Sequence, residues 1–360
     1  PHTESLTDTM GHLRNLLVDS INRQLVSDVP LCTFLSGGLD SSLISAVAAR
    51  KYKEEGRQLS TYSVDYKDNR KNFVASSFQP DEDAPWIVRM SGYIGSQHTN
   101  VEIDSPLLAD ALIPSMRARD LPGMADVDSS LYLFCGEVKK NFTVAVSGEC
   151  ADELFGGYPW YRDPEVRALD GFPWAQNAVH RCEMLVPAVT ERIDPMDYIQ
   201  DRYRDTCALS DVLPGTSGQE KRMKQMMNLN FRWFMQTLLD RKDRMSMYSG
   251  LEVRVPFCDH RIAEYLYAVP WKFKDYKGTE KGLLRFAMEG ILPKDVLWRK
   301  KSPYPKTYNE KYTKLVEDML SKIIDNPSKY LDKNKTYYFL PDTFSYCRNN
   351  RKFPHRKSVS

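Results

Sequence analysis

Apolar residues alternate between two spacings along the first part of the chain. Short apolar runs predict buried strands, and helical spacing predicts the helices between them. The predicted strands lie at 31–35, 59–65, 99–103 and 142–146, and the predicted helices at 10–25, 41–53, 83–93 and 106–117. Strands that alternate with helices form parallel sheets, with right-handed crossovers and helices on both faces. We therefore expect a parallel, doubly wound α/β sheet.

From residue 159 onward the pattern becomes helical. Helical spacing is found at about 219–248, 259–266, 280–289 and 309–324, and strand signals are scarce. A polar stretch at 66–80 is predicted as a long surface loop. We expect an α/β portion at 1–158, a largely helical portion at 159–340 packed closely against it, and a basic tail at 341–360.

Composition is that of an ordinary globular protein. The chain of 360 residues is 42% hydrophobic and 27% charged, and its formal charge of +2 favours neither nucleic acid nor an anionic membrane as partner. It contains no run of about eighteen apolar residues and no signal-peptide pattern, so neither membrane spanning nor export is expected. The seven cysteines lack zinc-type spacing and are interpreted as reduced thiols of a cytoplasmic protein.

The first candidate for chemistry follows the first predicted strand, in Ser-Gly-Gly-Leu-Asp-Ser-Ser at 36–42. Gly37 and Gly38 permit positive φ and close backbone approach. The helix that follows begins with free N–H groups at the positive end of its dipole, which is an arrangement that binds phosphate. No lysine follows the glycines, so this is not the loop used for γ-phosphoryl transfer. Asp40 is suited instead to carry Mg²⁺ on a nucleotide.

A second turn that carries acids follows the predicted strand 142–146. Glu149, Asp152 and Glu153 lie there within five positions. Ligands of open α/β sheets bind at the carboxyl ends of strands, where the winding reverses. If this strand lies beside the first, Asp40 and Asp152 converge on one metal–pyrophosphate group. The alternative is that the three acids only complement a helix dipole.

Three motifs occur together and in order: the loop at 36–42, Ser-Gly-Glu-Cys-Ala-Asp-Glu-Leu-Phe-Gly-Gly-Tyr at 147–158, and Leu-Glu-Val-Arg-Val-Pro-Phe-Cys-Asp at 251–259. The first alone resembles the PP-loop ATP pyrophosphatases. Together they resemble the synthetase domain of glutamine-dependent asparagine synthetases, over about residues 6–302. The resemblance implies an adenine nucleotide α-hydrolase-like fold and the use of ATP and Mg²⁺. It also implies conversion of aspartate to β-aspartyl-AMP, which ammonia attacks to give asparagine, AMP and pyrophosphate.

The resemblance also implies roles for single residues. Those implied for ATP and pyrophosphate, including the adenine site and the pocket wall, are Leu35, Ser36, Gly37, Gly38, Asp40, Ser41, Val64, Ser147, Gly148 and Tyr158. Asp40 and Asp152 are implied as Mg²⁺ ligands. Glu149 is implied to accept a proton from the attacking ammonia, and Lys281 to lie near the α-phosphate.

Lys281 is also unusual for its position at the start of the predicted helix at 280–289. With Thr279 as the expected N-cap, Lys281 would fall in the first turn of a helix, where its charge opposes the dipole. A function explains that position better than a solvated surface lysine does. A network of Asp240, Arg241, Arg244 and Arg254 could shape the pocket or serve only as structure. For the basic residues at 299–301, the simplest interpretation is a solvated face.

Complete enzymes of the resembled family begin with a glutaminase domain whose first residue is a cysteine nucleophile. This chain begins at Pro1, so we expect that domain to be missing and free ammonia to be the substrate. A homodimer is compatible with the resemblance. The alternatives are an intramolecular amide synthetase related to β-lactam synthetases or lasso-peptide cyclases, an RNA-modifying PP-loop enzyme, and a catalytically silent nucleotide-binding module. Tyr158 and Tyr161 keep the first open, whereas an RNA-binding surface is not evident.

Overall fold

The computed structural model describes residues 2–73, 75, 81–182, 185, 190–305 and 307–325. The strands are β1 (Leu31–Phe34), β2 (Ser60–Tyr66), β3 (Gln97–Ile103), β4 (Val144–Val146) and β5 (Glu252–Arg254). The helices of the first portion are α1 (Leu6–Gln24), α2 (Leu39–Glu54), α3 (Asn69–Asn72), α4 (Ala84–Ile94), α5 (Ser105–Asp110), α6 (Leu112–Arg119), α7 (Ala125–Lys139) and α8 (Ala151–Phe155). The predicted tail at 341–360 and most of the second half of the predicted loop at 66–80 lie outside the described residues.

The later helices are α9 (Pro164–Ala168), α10 (Ala178–Cys182), α11 (Pro195–Ala208), α12 (Gly218–Leu229), α13 (Gln236–Tyr248), α14 (His260–Ala268), α15 (Trp271–Lys274), α16 (Gly282–Ala287), α17 (Lys294–Leu297) and α18 (Glu310–Asp325). A π-helical segment, Asn230–Met235, joins α12 to α13, so the predicted helix at 219–248 is not uniform. π-Helical turns occur often near functional sites. This one brings the ring of Phe234 to 5.1 Å from that of Tyr158.

The five strands form one parallel sheet in the order β3-β2-β1-β4-β5. β1 is central, with β2 on one side and β4 on the other, and its Thr33 is in register with Val146. The winding therefore reverses between β1 and β4, and this is where such sheets bind ligands. The predicted parallel sheet is confirmed. β5 was not predicted, because three residues are too few to show a periodic pattern.

Helices cover both faces of the sheet, which confirms the doubly wound architecture. On one face Leu13, Leu17 and Ile21, spaced four residues apart on α1, pack with α2 and α16 in the main core. On the other face α7 and α13 pack against Phe34, with its ring 4.7 Å from that of Phe134. All four residues of β1 are buried, as expected of a central parallel strand.

A further difference from the prediction lies at 106–117. The segment predicted as a single helix at 106–117 forms α5 and α6, which are separated at Ala111. Pro114 has no N–H to donate to the carbonyl of Asp110, and its ring would collide with that carbonyl in a continuous helix. The chain therefore ends one helix and begins another.

Among the described residues, no helix combines the length and the apolar character that a bilayer crossing requires. The cysteines within the described ranges carry free thiols.

The helical half buries a lysine in an apolar setting. Lys274, at the end of α15, is 1% exposed; its ammonium lies 2.8 Å from Met227 Sδ and forms no ion pair with any residue that the structure describes. Burial lowers its pKa to about 7, and the charge of Lys224 adds to the shift. Between pH 7 and about 10.5 the unfolded chain then binds more protons than the folded chain. The free energy of unfolding therefore rises with pH across this window, by at most about 1.4 kcal/mol per pH unit.

We expect Lys274→Met to raise the free energy of unfolding most below pH 7, where the buried ammonium is charged, and to flatten the rise above pH 7. Urea unfolding at a series of pH values measures both effects. Lys272→Met, which removes an exposed lysine from the same helix, is the control and should change little. A Lys274→Met protein that is less stable than the wild type below pH 7 would contradict the prediction.

Candidate active site

The turns after β1 and β4 lie against each other at the point where the winding reverses. A Cβ added to Gly148 would lie 2.8 Å from the backbone N of Ser41 and 3.0 Å from the carbonyl carbon of Asp40. Real Cβ atoms do not approach backbone so closely, so glycine is required for this contact. The contact brings the two predicted motifs, at 36–42 and 147–158, into one site.

The loop after β1 leaves the start of α2 open to a ligand. Gly37 has a φ of +70°, and α2 begins after Gly38 without a side-chain cap. Ser36 N donates to Ser41 Oγ at 3.2 Å, so the loop folds back over the first turn of the helix. The first turn of α2 therefore offers free N–H groups and the positive end of its dipole, an arrangement that binds phosphate at other helix N-termini.

Two carboxylates that are distant in sequence meet across one ammonium. Lys281 Nζ lies 2.6 Å from Asp40 Oδ2 and 2.7 Å from Asp152 Oδ1, and Lys301 Nζ contacts Asp152 Oδ2. The side chain of Lys281 is 3% exposed. The site therefore holds a buried cluster of two acids and two lysines, which we call the acid–lysine cluster: Asp40, Asp152, Lys281 and Lys301.

The cluster shifts the pKa values of its members. Burial opposes ionisation of Asp152, but the ammonium groups of Lys281 and Lys301 outweigh it and hold the pKa of Asp152 below its usual range. At Asp40 burial outweighs Lys281 and raises the pKa. At Lys281 the two carboxylates outweigh burial and raise the pKa, so its ammonium remains charged at neutral pH.

Lys281 does not lie in the first turn of a helix, and Thr279 is not the N-cap; both expectations were wrong. Lys281 itself occupies the N-cap position of α16 and has a left-handed backbone, with a φ of +52°. The turn is set by Gly282, where a Cβ would lie 2.6 Å from the carbonyl oxygen of Tyr276. A left-handed lysine costs about 1–3 kcal/mol, and such strain is concentrated at functional sites.

Of the basic residues at 299–301 only Lys300 is exposed, so the three do not form a solvated face, and Lys301 was missed as a site residue. Arg299 is 5% exposed, and Lys301 is partly buried against Asp152. The sequence gives no local signal for these pairings, because no acidic residue occurs from 296 to 309.

Glu149 is paired separately from the acid–lysine cluster. Its Oε1 lies 2.8 Å from Lys242 Nζ, and Lys242 is almost fully buried. Its Oε2 is buried and has no hydrogen-bond partner among the described residues. Lys242 was also missed, because it lies within a long predicted helix and nothing in its local sequence marks it as buried.

The charged residues predicted to form a network around the pocket lie mostly on the surface or make structural contacts. Arg244 pairs with Asp120 and with Asp240 in an exposed network. Arg254 donates to the backbone carbonyls of Gln24 and Val26, and so ties the end of α1 to β5. The network expected to shape the pocket is therefore not formed as one unit.

Tyr158 lies beside the acid–lysine cluster. Its hydroxyl donates to Glu153 Oε1, its ring stacks on that of Trp160 at 4.2 Å, and Lys301 Nζ lies 4.9 Å from its ring centre. Glu153 is 1% exposed; burial, together with the charge of Asp152, raises its pKa to about 7. This aromatic wall is consistent with the predicted place of Tyr158, whose contact with a ligand stays a prediction.

The residues predicted for adenine lie close to the same sheet edge. Leu35 follows β1 and donates its N–H to the carbonyl of Tyr62 at 2.8 Å. Val64 lies in the neighbouring strand β2, and Ser147 N donates to the carbonyl of Arg254 at 2.8 Å. Their contact with a nucleotide stays a prediction.

The residues present are compatible with Mg²⁺ bound to a nucleotide. Asp40 Oδ1 is buried and has no hydrogen-bond partner among the described residues. The described part of the chain holds no group of three or more His, Cys, Asp or Glu side chains that could bind a metal alone. Mg²⁺ commonly binds through one or two carboxylates and completes its shell with phosphate and water. Asp40 and Asp152 fit this donor set.

A parallel sheet with a phosphate-type loop at its switch point, and an acid–lysine cluster beside that loop, defines a nucleotide-binding α/β protein of the PP-loop kind. The family model described as asparagine synthase matches residues 12–355, and the chain belongs to this family, which uses ATP. The family resemblance seen in the three motifs is therefore confirmed.

The relatives are asparagine synthetases. The chain is 51% identical over 323 residues to asparagine synthetase [glutamine-hydrolyzing] 3 of Bacillus subtilis strain 168, covering 89% of this chain and 52% of that protein. It is 32% identical over 334 residues to asparagine synthetase [glutamine-hydrolyzing] 1 of the same strain, covering 81% and 49%. The chain thus spans about half the length of the curated relatives it matches. An NAD+ synthetase structure from Burkholderia pseudomallei has a TM-score of 0.24 at 14% identity, covering 43% of this chain and 58% of that one, which is too weak a likeness to support an inference.

Proposed function

We propose that this chain performs the synthetase steps of an asparagine synthetase. ATP adenylates the side-chain carboxylate of aspartate and releases pyrophosphate, and ammonia then displaces AMP to form asparagine. The observation that carries the proposal is the meeting of Asp40, Asp152, Lys281 and Lys301 beside the open start of α2. Membership of the asparagine synthase family supports it.

The site suits adenylation on physical grounds. A carboxylate does not react with ammonia until one of its oxygens becomes a good leaving group, and AMP supplies that group. Pyrophosphate gains negative charge as it departs. The free backbone N–H groups in the first turn of α2 would bind this charge, and the ammonium groups of Lys281 and Lys301 would neutralise it. Lys281 is held in place for this by both carboxylates before any substrate binds.

Asp40 and Asp152 would hold Mg²⁺, using oxygens such as the unpartnered Oδ1 of Asp40. Bound there, the ion would supply further positive charge to the phosphates. Through their ion pairs, the two carboxylates also hold the ammonium groups of Lys281 and Lys301 beside the proposed Mg²⁺ site. The positive charges of the protein would therefore lie around the phosphates before the bond is cleaved.

Glu149 is proposed to accept the proton that ammonia loses when it attacks. Lys242 fixes Oε1 of Glu149, and Oε2 is left without a partner among the described residues, so one oxygen is free to take a proton. Tyr158 would form part of the pocket wall. Leu35, Val64, Ser147 and Gly148 would surround adenine at the sheet edge.

The source of ammonia is a separate part of the proposal. The names of the relatives describe them as glutamine-hydrolyzing, and this chain covers about half of them. We propose that residues 1–158 and 159–340 together carry the synthetase steps in the cytoplasm, and that glutamine is hydrolysed by a domain outside these residues. A homodimer is compatible with this arrangement.

Incubation with ATP, Mg²⁺, aspartate and ammonium should yield asparagine, AMP and pyrophosphate in equal amounts. Glutamine in place of ammonium should give no asparagine with this chain alone. Formation of ADP would overturn the adenylation scheme. A panel of carboxylates and amine acceptors would separate an asparagine synthetase from an intramolecular amide synthetase, because only the former should require both aspartate and ammonia.

A further inference from the structure

Arg299 connects three parts of the structure around the phosphate loop. Its Nη2 donates to Asp83 Oδ1 at 2.5 Å and its Nη1 to the carbonyl oxygen of Ser36 at 3.4 Å. Asp83 immediately precedes α4, and Ser36 begins the loop. The side chain of Arg299 is 3% exposed, so these are contacts of a buried cation and not of a surface residue.

The same arginine also lies over Trp86, 5.0 Å from its ring. Trp86 in turn supports the loop, since a Cβ on Gly37 would lie 2.6 Å from Trp86 Cβ and 2.8 Å from Ile87 N. The first turn of α4 is thus packed directly beneath the loop. Arg299 therefore contacts both the start of α4, through Asp83 and Trp86, and the carbonyl of Ser36 in the loop.

Arg299 is also close in sequence to a member of the acid–lysine cluster. Lys301, two residues further on, reaches Asp152 on the other side of the switch point. Two residues of extended chain span only about 7 Å, so the position of Arg299 limits where Lys301 can lie.

We propose that Arg299 is a positioning residue, which fixes the phosphate loop against α4 and keeps Lys301 in place within the acid–lysine cluster. This rests on the proposed function only in that the loop is taken to bind the phosphates of ATP. Arg299 touches no reacting atom itself. A lysine cannot replace it. The planar guanidinium donates to Asp83 and to the Ser36 carbonyl while it stacks on the indole ring of Trp86, and a compact ammonium cannot make all three contacts.

The test compares Arg299→Lys and Asp83→Asn with a control, Asp295→Asn. Asp295 pairs with Arg89 of the same helix α4 at 3.2 Å, but both side chains are about half exposed. The first measurement is hydrogen–deuterium exchange, without substrates, of the hydrogen-bonded amides at the two ends of the loop, those of Leu35, Ser36 and Ser42. The second is kcat and KM for pyrophosphate release, taken well below the melting temperature of each variant.

We expect amide exchange in the loop to become at least about tenfold faster in both variants, and kcat to fall about 10- to 100-fold, with Asp295→Asn unchanged. Loop exchange at the wild-type rate, or a lower melting temperature with unchanged kcat, would overturn the proposal. If the wild-type chain releases no pyrophosphate with aspartate, the proposed function fails, but the exchange measurement still decides the role of Arg299.

Discussion

Replacing Asp40 with asparagine is expected to lower pyrophosphate release about 100-fold or more while the fold is kept. The amide is the same size as the carboxylate but has no charge. It therefore weakens the contact with Lys281 Nζ at 2.6 Å and removes a proposed Mg²⁺ ligand. Lys281 retains Asp152 as a partner, so its buried ammonium is not left alone.

Pyrophosphate release in the presence of aspartate and ATP measures this effect, and thermal unfolding reports the fold. Asp8→Asn is a matched control, because Asp8 also lies in the first turn of a helix, but in α1, where it accepts a hydrogen bond from Ser5. Wild-type turnover in Asp40→Asn would remove Asp40 from the proposed metal site. Loss of turnover in Asp8→Asn as well would show that the assay reports stability instead.

The parts of the site that the sequence predicts are those set by local rules. Gly37 and Gly38 directly follow a buried strand and precede a helix, so the loop can be recognised without the rest of the chain. The meeting of Asp40 and Asp152 follows from one topological rule, because strands that alternate with helices are parallel and their carboxyl ends share one edge. That prediction depended on β1 and β4 being neighbours, and they are.

The parts that could not be predicted depend on contacts between distant segments. The backbone of Lys281 is left-handed where Gly282 packs closely against Tyr276, and no local propensity indicates this. Lys301 and Lys242 find their carboxylates about 100 residues or more away, in the turn that contains Glu149 and Asp152. A charge alone does not show whether its partner is water or a buried acid.

Lys281→Met should have the largest combined effect, on both activity and stability. The substitution removes the ammonium that separates two buried carboxylates and leaves Asp40 and Asp152 facing each other. Loss of one partner from a buried ion pair costs about 3–5 kcal/mol, although Lys301 still compensates Asp152 in part. Pyrophosphate release should fall about 100-fold or more, because a charge proposed to neutralise the departing phosphates is lost.

Lys277→Met separates this effect from backbone strain. Lys277 is also left-handed, with a φ of +58°, and lies four residues before Lys281, but it is exposed. If Lys281 acts only through its backbone conformation, the two variants should behave alike. If the charge matters, only Lys281→Met should lose activity, and Mg²⁺ should raise its melting temperature more than that of the wild type, since a divalent ion is then the strongest available counter-charge for the two acids. Equal behaviour of the two variants in both measurements would contradict a role for the Lys281 ammonium.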